Sequence, residues 1–373
     1  MINPFQTYSV VTSETHLAQA IQNLLNGLEP AGNCVSLVFF GSATVSSYEN
    51  ILAEIRMIVV SNFGYAPLVS FIPQPLCGGF TFGLEAMYVN ESTSQPELKK
   101  SGNVHYAIFQ VECGEMLILE AVSATNLKLS YAEQSVEVFE KINSIFQTEH
   151  VDTKHIVRQW NYIGDIVGFE NGNQHYQLFN NARSEFYKNI QFQHGFPAAT
   201  GISMSVNSLL VSVIAIVPTG QTTIYAVDNS LQKPAYNYSA EVLVEGESVK
   251  LKTTPKFERG KLVVCDNMGV FFISGTAAIR DERSLHVNDV EMQTRETIEN
   301  INFLLSNENL RLSNVKKDCN LTLDYVRVYL KNRSDYDAVK KIVVEAWPAI
   351  KTIFVQAEVC RPELLVEIEG IAQ

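Results

Sequence analysis

The stretch VQAEVCRPELLVEIEGIA, residues 355–372, is the most informative part of the chain because it ends a pattern that occurs three times. Like the two earlier runs, it follows a helical segment and a turn that contains proline. Alternating apolar residues predict a β-strand here, Val355 to Ala372. Aligned by their apolar positions, the runs place Glu367 opposite Ser212 and Gly83, so one repeat carries a carboxylate where the others have none. The earlier runs are FTFGLEAMYV (80–89) and LLVSVIAIVP (209–218).

The three runs close three repeats of one order of elements. In the second repeat a predicted hairpin precedes a helix that opens with the capping-box sequence SYAE, residues 130–133, and a strand, a helix and the closing strand follow. The third repeat has the same ββαβαβ order, whereas the first is truncated and leaves no room for the hairpin. We therefore predict an α+β protein of three units, 1–95, 96–235 and 236–373, packed around a pseudo-threefold axis as an intrachain pseudo-trimer.

Composition excludes several classes of protein. The chain has 373 residues, 46% of them hydrophobic, and no apolar run reaches the roughly 18 residues of a membrane-spanning helix. Its net charge of −12 argues against nucleic-acid binding, since such proteins carry basic surfaces. The six cysteines form no CxxC pair, which favours reduced thiols over disulfides or a metal site. With no signal-peptide pattern at the N-terminus, we expect a cytoplasmic protein without metal or cofactor, and a monomer or loose dimer.

Glu367 and Glu369 carry the candidate chemistry of the closing strand. They alternate with Val366 and Ile368, so both carboxylates lie on one face of the strand. In a cleft between two repeats, burial would raise the pKa of Glu367 and make it a general acid. On an exposed face both would be ordinary solvated side chains. From the residues alone we expect the solvated position for both.

Arginines and aromatic residues alternate in the second and third repeats. Arg158 and Arg327 occupy aligned positions on predicted strands, and Tyr176, Arg183 and Tyr187 lie on one stripe of a predicted helix. A buried arginine can hold a carboxylate through two charge-assisted hydrogen bonds, whereas an exposed one would pair with surface carboxylates. All five are candidates for binding an anionic substrate.

Four smaller features complete the candidate site. Gly275 lies within a predicted strand, where glycine marks either a bulge or a place that a ligand approaches closely. Thr200 and Gly201 follow the turn FPAA and could offer a hydroxyl and backbone N–H groups to a cleft. Cys360 is either a small buried hydrophobe or a reactive thiol, and a reactive thiol would need its pKa lowered by a nearby arginine or a polar cleft.

The third repeat resembles the YjgF/RidA family through GVFFISGTAAI, YVRVYLKNRSDYDAV and LLVEIEGIA. The resemblance covers most of residues 250–373 and extends more weakly over 104–218. It implies RidA-like (chorismate-mutase-like) units, which form trimers with a site in each cleft between subunits. RidA-type imine deaminases carry an arginine ahead of the closing-strand glutamate, but this chain has Ala199 or Phe354 near that place.

A second resemblance, to the chorismatase family, extends over residues 155–373. It rests on VRQWNYIGDI, HYQLFNNARSEFY and FPAATGI in the second repeat and on SGTAAI and CRPELLVEIEG in the third. It implies release of the enolpyruvyl group of chorismate as pyruvate, with Glu367 as catalytic acid. Family members that make 3-hydroxybenzoate carry a cysteine seven residues before this glutamate, where members that make the dihydrodiol carry alanine. Cys360 stands there, which implies 3-hydroxybenzoate and a role as nucleophile or proton relay.

Three functions of different classes remain open. The first is a chorismatase, with 3-hydroxybenzoate as the expected product and the diol or 4-hydroxybenzoate as alternatives. The second is a RidA-like deaminase of enamines and imines. The third is a non-catalytic ligand-binding or scaffold protein, which the lack of the carboxylate in two of three repeats favours.

Overall fold

Three β-sheets, each with its own helices, form the framework of the protein. They are seen in a computed structural model that describes residues 5–29, 32–63, 67–89, 95–126, 128–220, 222–239, 253–265, 268–316 and 319–373. The α+β class is confirmed. Among these residues, no helix is both long and apolar enough to span a membrane.

The first unit is a four-stranded sheet with two helices. Its strand order is β1-β4-β2-β3, with β3 parallel to β2 and the other pairs antiparallel. The first helix buries Ile21, Leu24 and Leu25, which lie on one face at helical spacing. The unit is truncated as expected, although it retains one strand, β1, of the missing hairpin. Its elements are β1 (Phe5–Thr12), α1 (Leu17–Asn26), β2 (Asn33–Gly41), α2 (Tyr48–Phe63), β3 (Leu68–Ile72) and β4 (Phe82–Val89).

The second unit is a six-stranded sheet with two long helices. Its strand order is β11-β8-β12-β7-β6-β5. The capping box at the start of α3 is present, because Ser130 and Glu133 exchange side-chain and backbone hydrogen bonds. The elements are β5 (Glu97–Ser101), β6 (Val104–Val111), β7 (Gly114–Ser123), α3 (Tyr131–Thr148), β8 (Ile156–Gly164), β9 (Phe169–Glu170), β10 (Asn173–Gln174), α4 (His175–Tyr187), β11 (Ala198–Met204) and β12 (Leu209–Pro218).

The third unit repeats this design with the strand order β13-β14-β15-β20-β18-β19. Its edge strand β13 pairs with β14, although these residues fall within the predicted second unit, 96–235. We therefore propose that the third unit begins near Thr223 and not at residue 236. The elements are β13 (Thr223–Val227), β14 (Gly260–Cys265), β15 (Met268–Ala277), β16 (Ile279–Arg280), β17 (Arg283–Ser284), α5 (Val290–Leu304), α6 (Asn307–Leu312), β18 (Leu323–Leu330), α7 (Tyr336–Ala346), β19 (Lys351–Gln356) and β20 (Val366–Ala372).

The C-terminal stretch is two strands and not the single strand predicted from residues 355–372. β19 pairs in parallel with one edge of β18, and β20 pairs antiparallel with its other edge. The residues between them must cross β18, and the N–H of Ala357 and the carbonyl of Leu330 hydrogen-bond at 2.9 Å where the crossing begins. β20 is therefore buried on both faces in the middle of a sheet, which the alternating sequence did not indicate.

Each unit contacts the other two, as the predicted pseudo-trimer requires. Between the first and second units, the amide of Gln74 donates to the carbonyl of Ser203 at 2.6 Å. Between the third and first units, the N–H of Gln356 donates to the carbonyl of Pro75 at 2.7 Å. Between the second and third units, the N–H of Ser203 donates to the carbonyl of Glu358 at 3.0 Å. The number of chains in the assembly stays a prediction.

Candidate active site

A cleft lies between the second and third units, where β11 faces β15. It encloses about 810 Å³, including its open mouth. Helix α4, strands β11 and β15, and the segments before β14 and β20 supply its walls. It brings together six of the side chains or glycines that the sequence singled out: Glu367, Cys360, Arg183, Tyr176, Gly201 and Gly275.

Glu367 is buried at the inner wall of the cleft. It lies on β20 opposite Ala277 of β15, and it is 5% exposed. Burial, and then the negative charge of Glu369, raise the pKa of Glu367 to about 8 against the opposing effects of Arg158 and Arg259. No side chain in the described part of the molecule donates a hydrogen bond to its carboxyl group. Glu367 is therefore a neutral acid at pH 7, with its proton available to a ligand.

Gly275 provides the space that Glu367 occupies. The pairing of β15 with β20 is interrupted between Ile273 and Thr276, which is a β-bulge. A Cβ atom on Gly275 would lie 2.1 Å from Oε1 of Glu367. Its N–H donates to Oγ1 of Thr200 at 3.0 Å. The bulge that the sequence left open is thus present, and the group that approaches Gly275 closely is the side chain of Glu367.

Three arginines give the cleft its charge. Arg183 is 1% exposed and donates from Nη2 to Oδ1 of Asn180 at 2.5 Å, while Arg259 donates to the hydroxyl of Tyr238 at 2.6 Å. The Nε groups of Arg183 and Arg259 are buried, and neither has a hydrogen-bond partner in the described part of the chain. Arg361 is the third. Within the same residues, the arginine–carboxylate ion pairs all involve other arginines. The cleft therefore offers unneutralised positive charge to an anion.

Aromatic rings form two walls of the cleft. Tyr176 packs so closely on Gly201 that a Cβ atom there would lie 2.8 Å from Cε2 of the ring. Burial raises the pKa of Tyr176, so its hydroxyl is a neutral hydrogen-bond donor. The guanidinium groups of Arg361 and Arg259 lie 5.2 and 5.8 Å from the centre of the Tyr238 ring. Flat rings beside planar cations suit a planar anionic ligand.

Cys360 lines the same cleft as a protonated thiol. Burial, followed by the negative charge of Glu367, raises the pKa of Cys360 to about 12, and Arg361 opposes this only in part. The lowered pKa that a reactive thiol would need is therefore not found, because the thiol is desolvated beside a carboxyl group. A neutral thiol can donate a proton but is a poor nucleophile.

Arg158 and Arg327 do not line the cleft but form buried ion pairs where the three units meet. Arg158 donates from Nη2 to Oε2 of Glu369 at 2.6 Å and to Oγ1 of Thr200 at 2.7 Å. Arg327 lies 3.1 Å from Oε1 of Glu369 and donates from Nε to Glu85 at 2.8 Å. These guanidinium groups bind carboxylates of the protein itself, which argues against the predicted contact with substrate.

Glu367 and Glu369 have opposite electrostatic environments although only Ile368 separates them in sequence. Glu369 is 2% exposed, so the expectation of a solvated side chain is wrong. Burial alone would raise its pKa, but Arg327 and Arg158 together lower it. The indole N–H of Trp160 also donates to its carboxylate at 2.9 Å. Glu369 is thus a buried anion, and Glu367 is a buried neutral acid.

Tyr187 and Thr200 lie behind the cleft wall and not on it. The hydroxyl of Tyr187 donates to Oε1 of Gln159 at 2.6 Å, and its ring packs against Phe192 and Phe196. Thr200 is 1% exposed and is hydrogen-bonded to the buried ion pairs. Neither is placed for the direct substrate contact that was predicted.

Arg259, Arg361, Tyr238 and Phe257 were not identified from the sequence. Arg361 directly follows Cys360 in a motif already singled out, so its position could have suggested it. The other three lie in segments without a regular strand or helix, where periodicity gives no signal. They belong to the site because tertiary packing places these segments in the lining of the cleft.

Comparison with known proteins identifies two sequence families. Residues 92–215 match the family described as chorismatase FkbO/Hyg5-like, N-terminal, and residues 260–373 match endoribonuclease L-PSP. A 3-hydroxybenzoate synthase of Streptomyces hygroscopicus is 32% identical over 224 residues, 58% of this chain and 63% of that protein. A chorismatase of the same species is 25% identical over 246 residues, 65% of this chain and 67% of that protein. The chain thus aligns with less than two thirds of the synthase.

The whole chain has the fold of a solved relative. A crystal structure of a chorismatase matches it with a TM-score of 0.74 at 18% identity, over 100% of this chain and 99% of that one. The resemblance to chorismatases and to RidA-like folds is thereby confirmed. The chain is thus similar in sequence to 3-hydroxybenzoate synthase, matches the chorismatase FkbO/Hyg5-like N-terminal family and the L-PSP family over separate parts of its length, and has the overall fold of a chorismatase.

Proposed function

We propose that this protein is a chorismatase that cleaves the enolpyruvyl ether of chorismate into pyruvate and 3-hydroxybenzoate. The observation that carries the proposal is a buried neutral acid, Glu367, in one cleft with three arginines that have no carboxylate partner among the described residues. Chorismate is a dianion with an acid-labile enol ether, so its cleavage needs a proton donor and cations for two carboxylates. Of the two aligned Streptomyces proteins, the name of the chorismatase supports this substrate and that of the 3-hydroxybenzoate synthase supports this product.

Glu367 would act as the general acid. Transfer of its proton to the methylene carbon of the enolpyruvyl group creates positive charge on the ether carbon and weakens the bond between the ether oxygen and the ring. When that bond breaks, the ether oxygen leaves with pyruvate as its keto group, and the neighbouring ring hydroxyl supplies the oxygen of the aromatic product. A pKa of about 8 keeps most of Glu367 protonated at neutral pH, which an ordinary glutamate would not be. General acid catalysis of this kind contributes about 10²- to 10⁴-fold.

The arginines would orient the substrate. Arg183 comes from α4 of the second unit, whereas Arg259 and Arg361 come from the third, so a dianion between them would bridge the two units. Carboxylates bind guanidinium groups in planar, two-pronged pairs, which fixes direction as well as distance. The neutral hydroxyl of Tyr176 adds a hydrogen-bond donor on the same side.

Cys360 would direct the ring to its aromatic product. Pyruvate and 3-hydroxybenzoate together contain the atoms of chorismate, whereas the diol route takes up one water molecule. Aromatisation needs one proton to reach the ring oxygen and another to leave the ring. A thiol held in its protonated form can give its proton to that oxygen and then, as the thiolate, take the proton that leaves the ring, so it suits a proton relay better than a nucleophile. We therefore choose the relay from the two roles that the sequence left open.

Incubation of the purified protein with chorismate tests the proposal. We expect stoichiometric pyruvate in an enzyme-coupled assay and 3-hydroxybenzoate by chromatography. Release of ammonia from an enamine without chorismate turnover would replace the proposal with a RidA-like deaminase. Chorismate binding without any product would instead make the protein a non-catalytic binder.

The variant Cys360→Ala is expected to continue releasing pyruvate while its ring product shifts toward the non-aromatic diol. Alanine removes the thiol proton but leaves Glu367 and the arginines in place. The measurement is the ratio of the two ring products by chromatography, with Cys319→Ala as the control, a thiol outside the cleft. An unchanged ratio in Cys360→Ala would reduce Cys360 to a packing residue.

A further inference from the structure

Thr200 connects the buried ion pairs to the wall of the cleft. Its hydroxyl donates to the carboxylate of Glu369 and accepts from Nη2 of Arg158 at 2.7 Å and from the N–H of Gly275 at 3.0 Å. All the hydrogen-bonding capacity of the hydroxyl is therefore used. Gly275 is in turn the residue against which Glu367 packs. A continuous chain of contacts runs from Glu369 through Thr200 and Gly275 to the acid.

The negative charge of Glu369 acts on Glu367 directly. The two residues are separated by one position on β20 and lie on the same face, and both are buried. Two carboxyl groups this close in a desolvated site do not both ionise readily. The one whose anion is better stabilised by hydrogen bonds and cations ionises, and its charge keeps the other protonated. Glu369 is the one that ionises, because Arg158, Trp160 and Thr200 donate hydrogen bonds to it and the guanidinium group of Arg327 forms an ion pair with it.

Other titratable groups also face Glu367 from the elements packed around it. Arg158 and Arg259 favour its ionised form, and Glu369 opposes it. Cys360 and Tyr176 are neutral near pH 7, because burial raises the pKa of both. Glu369 thus supplies the negative charge that balances the nearby cations. The groups come from β20 (Glu369), β8 (Arg158), the segment before β14 (Arg259), the segment before β20 (Cys360) and α4 (Tyr176).

We propose that Glu369 and Thr200 are positioning residues for Glu367. The charge of Glu369 keeps the acid protonated, and Thr200 fixes the bulge that leaves room for it. Thr200 belongs to the second unit and both glutamates to the third, so the acid depends on the contact between units. The inference rests on the proposed function, because it concerns the same acid.

The first unit contributes to this arrangement through Glu85. Arg327 is shared between Glu85 and Glu369, so part of its positive charge is already neutralised before it reaches Glu369. Without Glu85, Arg327 would neutralise Glu369 more fully and weaken its effect on Glu367. The first unit has no counterpart of Glu367, yet through Glu85 it affects the protonation of Glu367 in the third unit.

The variant Glu369→Gln tests the charge. We expect the high-pH limb of kcat/KM for pyruvate release to move down by about one pH unit or more, because Arg158 and Arg259 then act on Glu367 unopposed. Activity should fall roughly tenfold near pH 8 and stay close to wild type near pH 5.5. A uniform loss at every pH would indicate a merely structural role and overturn the proposal.

Glu120→Gln is the matched control for that variant. Glu120 is a partly buried carboxyl near the meeting point of the units, but its hydrogen bonds are with Ser36 and Ser212 and not with Glu369. Burial raises the pKa of Glu120, so its replacement by a neutral amide removes little charge. Its pH profile should match the wild type. If both variants moved the limb equally, a specific effect of Glu369 would be excluded.

Thr200→Val and Thr200→Ser test the hydrogen-bond chain, and they carry the proposal if Glu369→Gln does not fold. Valine keeps the shape of the side chain but removes the acceptor for Gly275, so kcat should fall about tenfold or more while Thr200→Ser retains most of it. Equal activity of the wild type and the valine variant would overturn the role of Thr200, as would a serine variant as impaired as the valine one.

Infrared titration separates this inference from the proposed function. The carbonyl stretch of a protonated carboxyl group, taken as the difference between the wild type and Glu367→Gln, reports Glu367 without any substrate. The same difference in the Glu369→Gln background should titrate at lower pH. A shift seen in a protein that does not cleave chorismate would support the inference and refute the function. No shift in an active enzyme would do the reverse.

Discussion

Glu367→Gln is expected to lose about 10²- to 10⁴-fold in pyruvate release while it still binds chorismate. Glutamine preserves the size of the side chain and removes the proton that is transferred, which raises the barrier by roughly 3 to 5 kcal/mol. Single-turnover rates with chorismate measure the loss, and calorimetry measures the binding. Glu358→Gln is the control, since Glu358 lies near Lys331 outside the cleft. A Glu367→Gln rate within a few-fold of wild type would remove the acid from the mechanism.

The pH dependence of pyruvate release tests the role of Glu367 independently. The active form of Glu367 is the protonated one, and its pKa is raised to about 8. Activity is therefore retained at neutral pH and lost as the pH rises through about 8, and the variant should lack this limb. The folded protein holds the proton of Glu367 more tightly than the unfolded chain does. The free energy of unfolding that this group contributes therefore declines as the pH rises from the ordinary pKa of glutamate toward 8. At pH 8 the variant should be no less stable than the wild type, which thermal unfolding can check.

Arg327→Met is expected to destabilise the fold by about 3 to 5 kcal/mol. Arg327 is 3% exposed. Its guanidinium group forms ion pairs with Glu85 and Glu369 and donates a hydrogen bond to the hydroxyl of Tyr162 at 2.8 Å. Methionine fills similar volume but leaves the Glu85 carboxylate buried without its cation. Urea unfolding followed by circular dichroism gives the free energy of unfolding.

A surface arginine provides the control for that prediction. Arg280 also has two carboxylate partners, Glu296 and Glu299, but its side chain is 31% exposed. Arg280→Met should therefore cost no more than about 1 kcal/mol. The double variant Arg327→Met, Glu85→Gln should recover part of the loss, because it removes the stranded charge along with its partner. Equal destabilisation by the two single arginine variants would mean that the buried network has no special role.

The repeat pattern was enough to predict the fold. Apolar periodicity and capping signals are local, so the hairpin, the long helices and the strand between them in the second and third units follow from the sequence, as does the truncation of the first. The strand β11 was not predicted, because its residues were taken as part of a turn. The division of residues 355–372 into two strands was missed. Both strands share one hydrophobic pattern, and only the pairing with β18 shows that the chain crosses from one edge of that strand to the other.

The sequence could nominate the site but not assign its charges. Arg158 and Arg183 are arginines in similar aromatic surroundings, yet one is paired with a carboxylate of another unit and the other has no carboxylate partner in the described part of the chain. Glu367 and Glu369 sit on one face of one strand, yet one is neutral and the other ionised. Spacing along the chain determines which residues share a face. Which of them meets a counter-ion depends on packing between units that are distant in sequence, because a buried charge is set by its nearest partners and by the water it has lost.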